Sequence, residues 1–368
     1  MKRLLPLIVK ITIALVALWC ILALVLFWHS GTKETQQALL SGKRFIVSLA
    51  DGKVEGLVVT APGKKEEEAK AEDASIPPPA AEPEKADASA VTSVTTSANP
   101  IADINEALID KASGVSLPKV SAEGQRPEQY YAKTYRRQNE LPIIAILITG
   151  LGQAKKVTDM ALALDDRISL SFSPYSPVAG SWAAASRLTG HEFYVDLPMQ
   201  TADHPDADPG PYSILLTKNT TENVKNLHWA LSRFQGYVGV ATPITEVITG
   251  DSDTFTPIAK ELSNRGVSMV VGHIAPQVQE VNDDGSTKKP GHDLKPDHAD
   301  IWIDEELTEM SIQARLATLE QIAQRQGYAI GIAQAYPLSI EQIKVWQRTM
   351  GERGVMLAPV SFVAKLKP

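Results

Sequence analysis

The feature that most limits what this chain can become is an apolar run near its start. Residues 11–28 are 18 side chains without a charge, inside a longer apolar stretch covering residues 4–28. As a helix rising about 1.5 Å per residue, the run would span roughly 27 Å, close to the hydrocarbon thickness of a bilayer. Lys2 and Arg3 precede it and Lys10 lies near the same end. Positive charge at that end belongs on the cytoplasmic side, so the remainder is expected beyond the membrane. His29-Ser30-Gly31-Thr32-Lys33 offers no small-x-small cleavage site, which favours an uncleaved single-pass anchor over a signal peptide. In a two-membrane envelope this means an inner-membrane anchor with a periplasmic domain. The lone cysteine, Cys20, lies inside the run behind Trp19 and reads as lipid-facing packing. One thiol also excludes an internal disulfide and the paired-thiolate zinc patterns.

The next segment cannot bury enough to fold by itself. Residues 61–100 contain ten Ala, six Pro and eight acids against four Lys, with the runs Lys64-Lys65-Glu66-Glu67-Glu68 and Pro77-Pro78-Pro79. Such composition reads as a solvated linker. A brief strand pair at 45–49 and 57–59 is the one local exception. Taken as a flexible coil, residues 29–140 would reach about 60 Å. The whole chain carries 36 Lys+Arg against 43 Asp+Glu, a net charge of −7. That balance argues against a partner rich in phosphate, so no nucleic acid is expected.

Residues 141–368 alternate strand-like and helix-like patterns with turn residues between them, the sequence signature of an α/β domain with a mostly parallel sheet. Short β-branched runs predict strands at 143–148, 169–173, 192–197, 237–241, 267–271, 301–303, 328–333 and 355–360. Asn219 with Glu222 forms a capping-box pattern before the stripe Val224, Leu227, Leu231 and Phe234. Ser339 with Gln342 repeats that pattern, while Thr256-Pro257 marks another helix start and Gly266 its stop. Eight alternations without a Gly-rich phosphate turn predict a (β/α) barrel, distorted and seven- or eight-stranded, preceded by one transmembrane helix and a disordered linker. Thr149-Gly150-Leu151-Gly152 lacks the dinucleotide fingerprint. In such a fold the site is expected at the carboxyl ends of the strands. There the sequence places Thr149, Asp196, Thr242, His273 and Gln334.

Several stretches together carry a resemblance. Gly190-His191-Glu192 leads to Leu197-Pro198-Met199, followed by Asp208-Pro209-Gly210-Pro211, Val238-Gly239-Val240 and Ile301-Trp302-Ile303-Asp304. Residues 141–359 thereby resemble the divergent polysaccharide deacetylases, distant relatives of the metal-dependent NodB-type carbohydrate esterases. The resemblance implies a distorted barrel and a carbohydrate-related role. Where relatives end the first strand in Asp-Asp-Leu-Gly, this chain has Thr149-Gly150-Leu151-Gly152. Where they carry a later strand His it has Asp196, for Asn-His-Met-Gly-Ser it has Thr242-Pro243-Ile244-Thr245-Glu246, and for Gly-His-Pro it has Ala333-Gln334-Ala335. Metal-assisted deacetylation needs a carboxylate and imidazoles on a divalent cation, with a base for the attacking water. Those substitutions imply that the metal-dependent chemistry is lost, with no cofactor, and that the domain binds an envelope glycan or a periplasmic protein.

The alternative is a hydrolase acting on an acetylated envelope glycan through a rearranged site drawn from His191, Glu192 or Asp196, with a divalent metal. Positions 191 and 196 differ in parity, so a regular strand sends them to opposite faces. The groove candidates are Thr149, Tyr175, His191, Asp196, Thr242, His273 and Gln334, with Trp182 beside Tyr175 as a second aromatic. Trp229 and Trp346 follow helical spacing and read as core. The acidic stretch 203–208 and the run 279–300, which holds His292, Asp293, Asp297, His298 and Asp300, read as surface loops.

Overall fold

A computed structural model describes residues 101–367, apart from 113, 243–245 and 273–293. The first hundred residues, with the expected anchor, strand pair and linker run, lie outside the described residues, as do His273, His292 and Asp293. Among the described residues no helix is long and apolar enough to cross a membrane.

The strands are β1 (Ile109–Asp110), β2 (Leu117–Pro118), β3 (Ile143–Leu151), β4 (Ser169–Phe172), β5 (Phe193–Asp196), β6 (Gly239–Thr242), β7 (Ser268–Val271), β8 (Asp297–His298), β9 (Ile301–Trp302), β10 (Tyr328–Gln334) and β11 (Met356–Leu357). The helices are α1 (Pro127–Tyr130), α2 (Lys155–Leu162), α3 (Ala179–Thr189), α4 (Thr220–Ser232), α5 (Glu246–Thr249), α6 (Ser252–Asn264), α7 (Glu309–Gln326), α8 (Pro337–Thr349) and α9 (Val360–Ala364). β1 and β2 pair with each other. The others form one parallel sheet in the order β8-β7-β6-β5-β4-β3-β10-β9, with β11 added to β3.

This sheet is curled, with helices around it, consistent with a (β/α) barrel. Its two edges come from one run of chain, 297–302. Ala299 donates to the Val271 carbonyl on one side (2.8 Å) and Asp300 to the Ile330 carbonyl on the other (2.7 Å). Among the described residues the sheet therefore has nine ladder strands rather than the expected seven or eight, because that run contributes one strand to each edge; the strand expected over 355–360 is only Met356–Leu357, and Val360 begins α9. The expectation of a surface loop across 279–300 fails at its end, where residues 297–300 are strand and connection.

β3 is apolar on both faces because both are covered, as parallel strands require. Ile143, Ala145 and Leu147 point inward with Tyr194, Val270, Ile330 and Ile332. Ile144, Ile146 and Ile148 point outward to the helices with Leu170, Phe172 and Phe193.

Local signals fixed some element ends and not others. Asn219 and Glu222 form the expected capping box on α4. α6 begins at Ser252 under an Asp251 cap, about one turn earlier than the expected start, which leaves Pro257 inside the helix. Its end matches Gly266, which holds φ +69° and relieves the left-handed turn that a side chain resists. Ser339 does not cap α8. Pro337 opens that helix behind Tyr336, and the Ser339 hydroxyl is used elsewhere.

The linker expected to run to Glu140 is corrected from residue 101 onward. Leu108 and Tyr131 are buried at 1% and 3% exposure in the inner core. Backbone bonds fasten this strap to the domain, with Ile101 donating to Arg187 and Glu128 to Gly266. Arg265 donates to the Pro118 carbonyl at 3.0 Å. Its elements are two to four residues long, too short for a hydrophobic period to show in sequence.

Candidate functional site

Three strands bring their ends together around one carboxylate. Asp196 closes β5 and remains partly exposed. Its Oδ1 accepts from the Ser171 hydroxyl of β4 (2.6 Å), and its Oδ2 accepts from the Gly150 amide of β3 (2.8 Å). Gly150 is exposed and holds φ +79°, a conformation that turns its N–H toward the acid at little steric cost. Burial lifts the Asp196 pKa to about 6, with the Ser171 and Gly150 bonds pulling the other way. No charged neighbour contributes to that shift, so its upward direction comes from desolvation.

The flanking candidates complete the edge. Thr149 is buried and donates its hydroxyl to the Ala333 carbonyl at 3.2 Å. Thr242, at the end of β6, is buried, and its carbonyl accepts from Gly272. Gln334 ends β10, and its amide donates to Asp304 at 2.9 Å. Asp304 is itself buried and accepts from Trp302 Nε1 (2.8 Å) and from the Ser339 hydroxyl (2.6 Å). It ties the end of β10 to the first turn of α8. Burial raises its pKa.

His191 is corrected. It is fully buried at the amino end of β5, away from the edge that carries Asp196, with Nδ1 2.7 Å from the Ile168 carbonyl and Nε2 3.4 Å from that of Leu162. Desolvation lowers its pKa, which keeps the ring neutral and structural. Glu192 is also buried. It accepts from the Ser169 hydroxyl (2.7 Å), the Ser361 amide (3.0 Å) and the Lys133 amide (3.0 Å), and from the Ser361 hydroxyl. The Gly190-His191-Glu192 stretch thus fastens the strap and α9 to the closed end of the sheet.

Tyr175, after β4, is half-buried against Trp229 with ring centroids 4.9 Å apart. Trp182 is not in a groove, being 2% exposed in the outer core, whereas Trp229 is half-buried in an aromatic cluster rather than enclosed. In the acidic stretch, Asp208 accepts from the Gly210 amide at 2.8 Å as a turn residue. Asp300 accepts from the Ile330 amide and Lys367, holding the sheet closure. A separate groove of about 540 Å³ lies between α2 and α8, lined by Lys155, Asp159, Met160, Ile340, Glu341 and Lys344. It sits on the outer helical layer, where Lys155 pairs with Asp159 and Lys344 with Glu341.

Sequence reasoning missed Ser171 and the Gly150 amide. The signal was the alternation Ser169-x-Ser171-x-Ser173 beside Glu192-x-x-x-Asp196, two polar faces of equal parity on neighbouring strands.

Residues 146–364 match the profile of the divergent polysaccharide deacetylases. The chain belongs to the divergent polysaccharide deacetylase family. The solved structure of an uncharacterized protein from Agrobacterium tumefaciens C58 is similar, with a TM-score of 0.61 and 28% identity over 68% of this chain and 99% of that chain. A structure from Coccidioides immitis aligns over 67% of this chain and 90% of that chain at a TM-score of 0.29 and 13% identity. No curated protein matches.

Metal-dependent polysaccharide deacetylases need several ligands converging on one cation. In this member of the divergent family the edge offers Thr149, Gly150, Thr242 and Gln334 around a single carboxylate. Among the described residues no three His, Cys, Asp or Glu side chains cluster to hold a metal. The described residues of this edge do not by themselves form such a ligand set. What the edge can supply is a hydrogen-bonding acid, ionised or protonated on either side of about pH 6, framed by hydroxyl and amide donors.

Proposed function

We propose that this protein is a membrane-anchored, polysaccharide deacetylase-like protein of the periplasm that binds an envelope glycan through the Asp196 edge without metal-dependent deacetylation. The observation that carries the reading is the Ser171–Asp196–Gly150 arrangement. A carboxylate held by two donors can accept a pair of sugar hydroxyls, and among the described residues no cluster of ligands stands beside it to hold a metal that would polarise an acetyl carbonyl. A periplasmic protein is the other partner class this surface would suit.

Elemental analysis of the purified full-length chain, with melting measured against added zinc and acetate release from acetylated glycan, tests it. Substoichiometric metal, no melting shift and no acetate support binding. A stoichiometric divalent ion with chelator-sensitive acetate release overturns it. A second reading, a hydrolase through a rearranged site, is favoured by one observation, the Asp196 pKa near neutrality, where general acid–base groups operate. It requires acetate release that Asp196→Asn abolishes.

A further inference from the structure

Where the connections after β4 and β5 meet α4, three aromatic rings pack together in a way the sheet does not require. Tyr212 lies flat on Trp229, with centroids 4.1 Å apart and planes 12° from parallel. Tyr175 leans on Trp229 at 4.9 Å, and the Arg233 guanidinium lies 5.5 Å from the same indole. Trp229 is thus occupied by its neighbours, and Tyr212 is the outward ring, 39% exposed. Tyr175 and Tyr212 belong to the connections that follow β4 and β5, the two strands that carry Ser171 and Asp196.

The loop holding Tyr212 is locked. Gly210 has φ +103°, and a Cβ there would lie 2.6 Å from Tyr175 Oη, so only glycine fits. The Tyr212 amide donates to Tyr175 Oη (3.1 Å), and the Ser213 hydroxyl donates to the Gly210 carbonyl (2.7 Å). Lys218 Nζ donates to the carbonyls of Pro211 (3.1 Å) and Ser213 (3.2 Å). The Asp208-Pro209-Gly210-Pro211 stretch therefore builds a rigid mount that delivers an aromatic face to solvent. Rigid aromatic area binds with little ordering cost, and the negative ring face attracts the polarised C–H groups of a pyranose.

We propose that Tyr212, mounted on Trp229, is a stacking platform for one pyranose ring of an oligosaccharide whose neighbouring hydroxyls reach Asp196. This rests on the glycan-binding reading and assigns it a subsite. The test is calorimetry and saturation-transfer NMR on the full-length chain with a β-1,4-linked N-acetylglucosamine hexamer, and with a glucose hexamer as second probe. Tyr212→Ala is expected to weaken binding about tenfold or more, and Tyr212→Phe to stay within about twofold. Tyr212→Leu, which still covers Trp229, should lose affinity like the alanine variant and controls for a disturbed loop. If Tyr212→Ala and Tyr212→Leu bind as tightly as wild type while Asp196→Asn weakens binding, the platform is wrong and the glycan reading stands. If wild type binds neither hexamer, both are overturned.

Discussion

Asp196 accepts two hydrogen bonds, yet burial outweighs both and raises its pKa from 3.8 to about 6. Because the folded value lies above the unfolded one, the fold binds the proton more tightly. The stability contribution is full below about pH 3.8 and is lost as pH rises through 6. Asp196→Asn removes that charge while keeping an oxygen for the Gly150 amide. The variant is expected to melt about 2–4 °C higher than wild type at pH 7.5, with the gain vanishing near pH 4, as scanning calorimetry at both pH values would show. Asp196 was legible in the sequence as a polar residue at a strand end. His191 was legible as a histidine beside that strand, but its burial was not, since enclosure under Leu162 and Ile168 depends on how α2 packs.

At the scale of elements, strand and helix contacts set limits that single substitutions expose. Gly331 of β10 has no room for a Cβ, which would stand 2.7 Å from Leu319 Cδ2 and 2.8 Å from Ile303 Cδ1. Gly331→Ala should force α7 off the sheet and cost about 1–3 kcal/mol, read as a lower urea midpoint with an unchanged slope. The Glu261 carboxyl of α6 is held down to about 2, first by the His228 hydrogen bond and then by Arg265, against burial that would raise it. His228 Nε2 and Arg265 Nε each lie 2.6 Å from its Oε1, linking α4 to α6. A folded pKa below the unfolded 4.5 means this support is full above about pH 4.5 and is lost as pH falls through 2. The stability gap between wild type and Glu261→Gln should therefore still be present near pH 4.5 and close as pH falls toward 2 in denaturant titrations. Element positions read well from the sequence where burial is continuous, as in β3. The start of α8 did not, because Ser339 donates to Asp304 across the fold instead of capping its own helix.

For the whole molecule, the strap before β3 is part of the domain. Leu108 and Tyr131 seal the inner core, and the Lys133 amide supports Glu192. Burying each large apolar side chain contributes about 1.5–3 kcal/mol, so losing two removes a large share of the roughly 5–15 kcal/mol that holds a typical domain together. A chain beginning at residue 141 is expected to melt far below one beginning at residue 101 and to lose near-UV dichroism. Equal melting of the two would show the strap to be dispensable.

The sequence by itself determined what neighbouring residues decide. Continuous apolar runs mark strands covered on both faces, an Asn-x-x-Glu box starts α4, and Gly266 ends α6, because each is a local balance of burial, capping and backbone freedom. Tertiary structure alone decided which residues meet. Asp196 finds Ser171 and Gly150, 25 and 46 positions away, and residues 297–302 join the two edges of the sheet. The strap folds because the inner core accepts its few apolar side chains. No period in the chain records such contacts, since their free energy comes from surfaces that exist only once the sheet has curled.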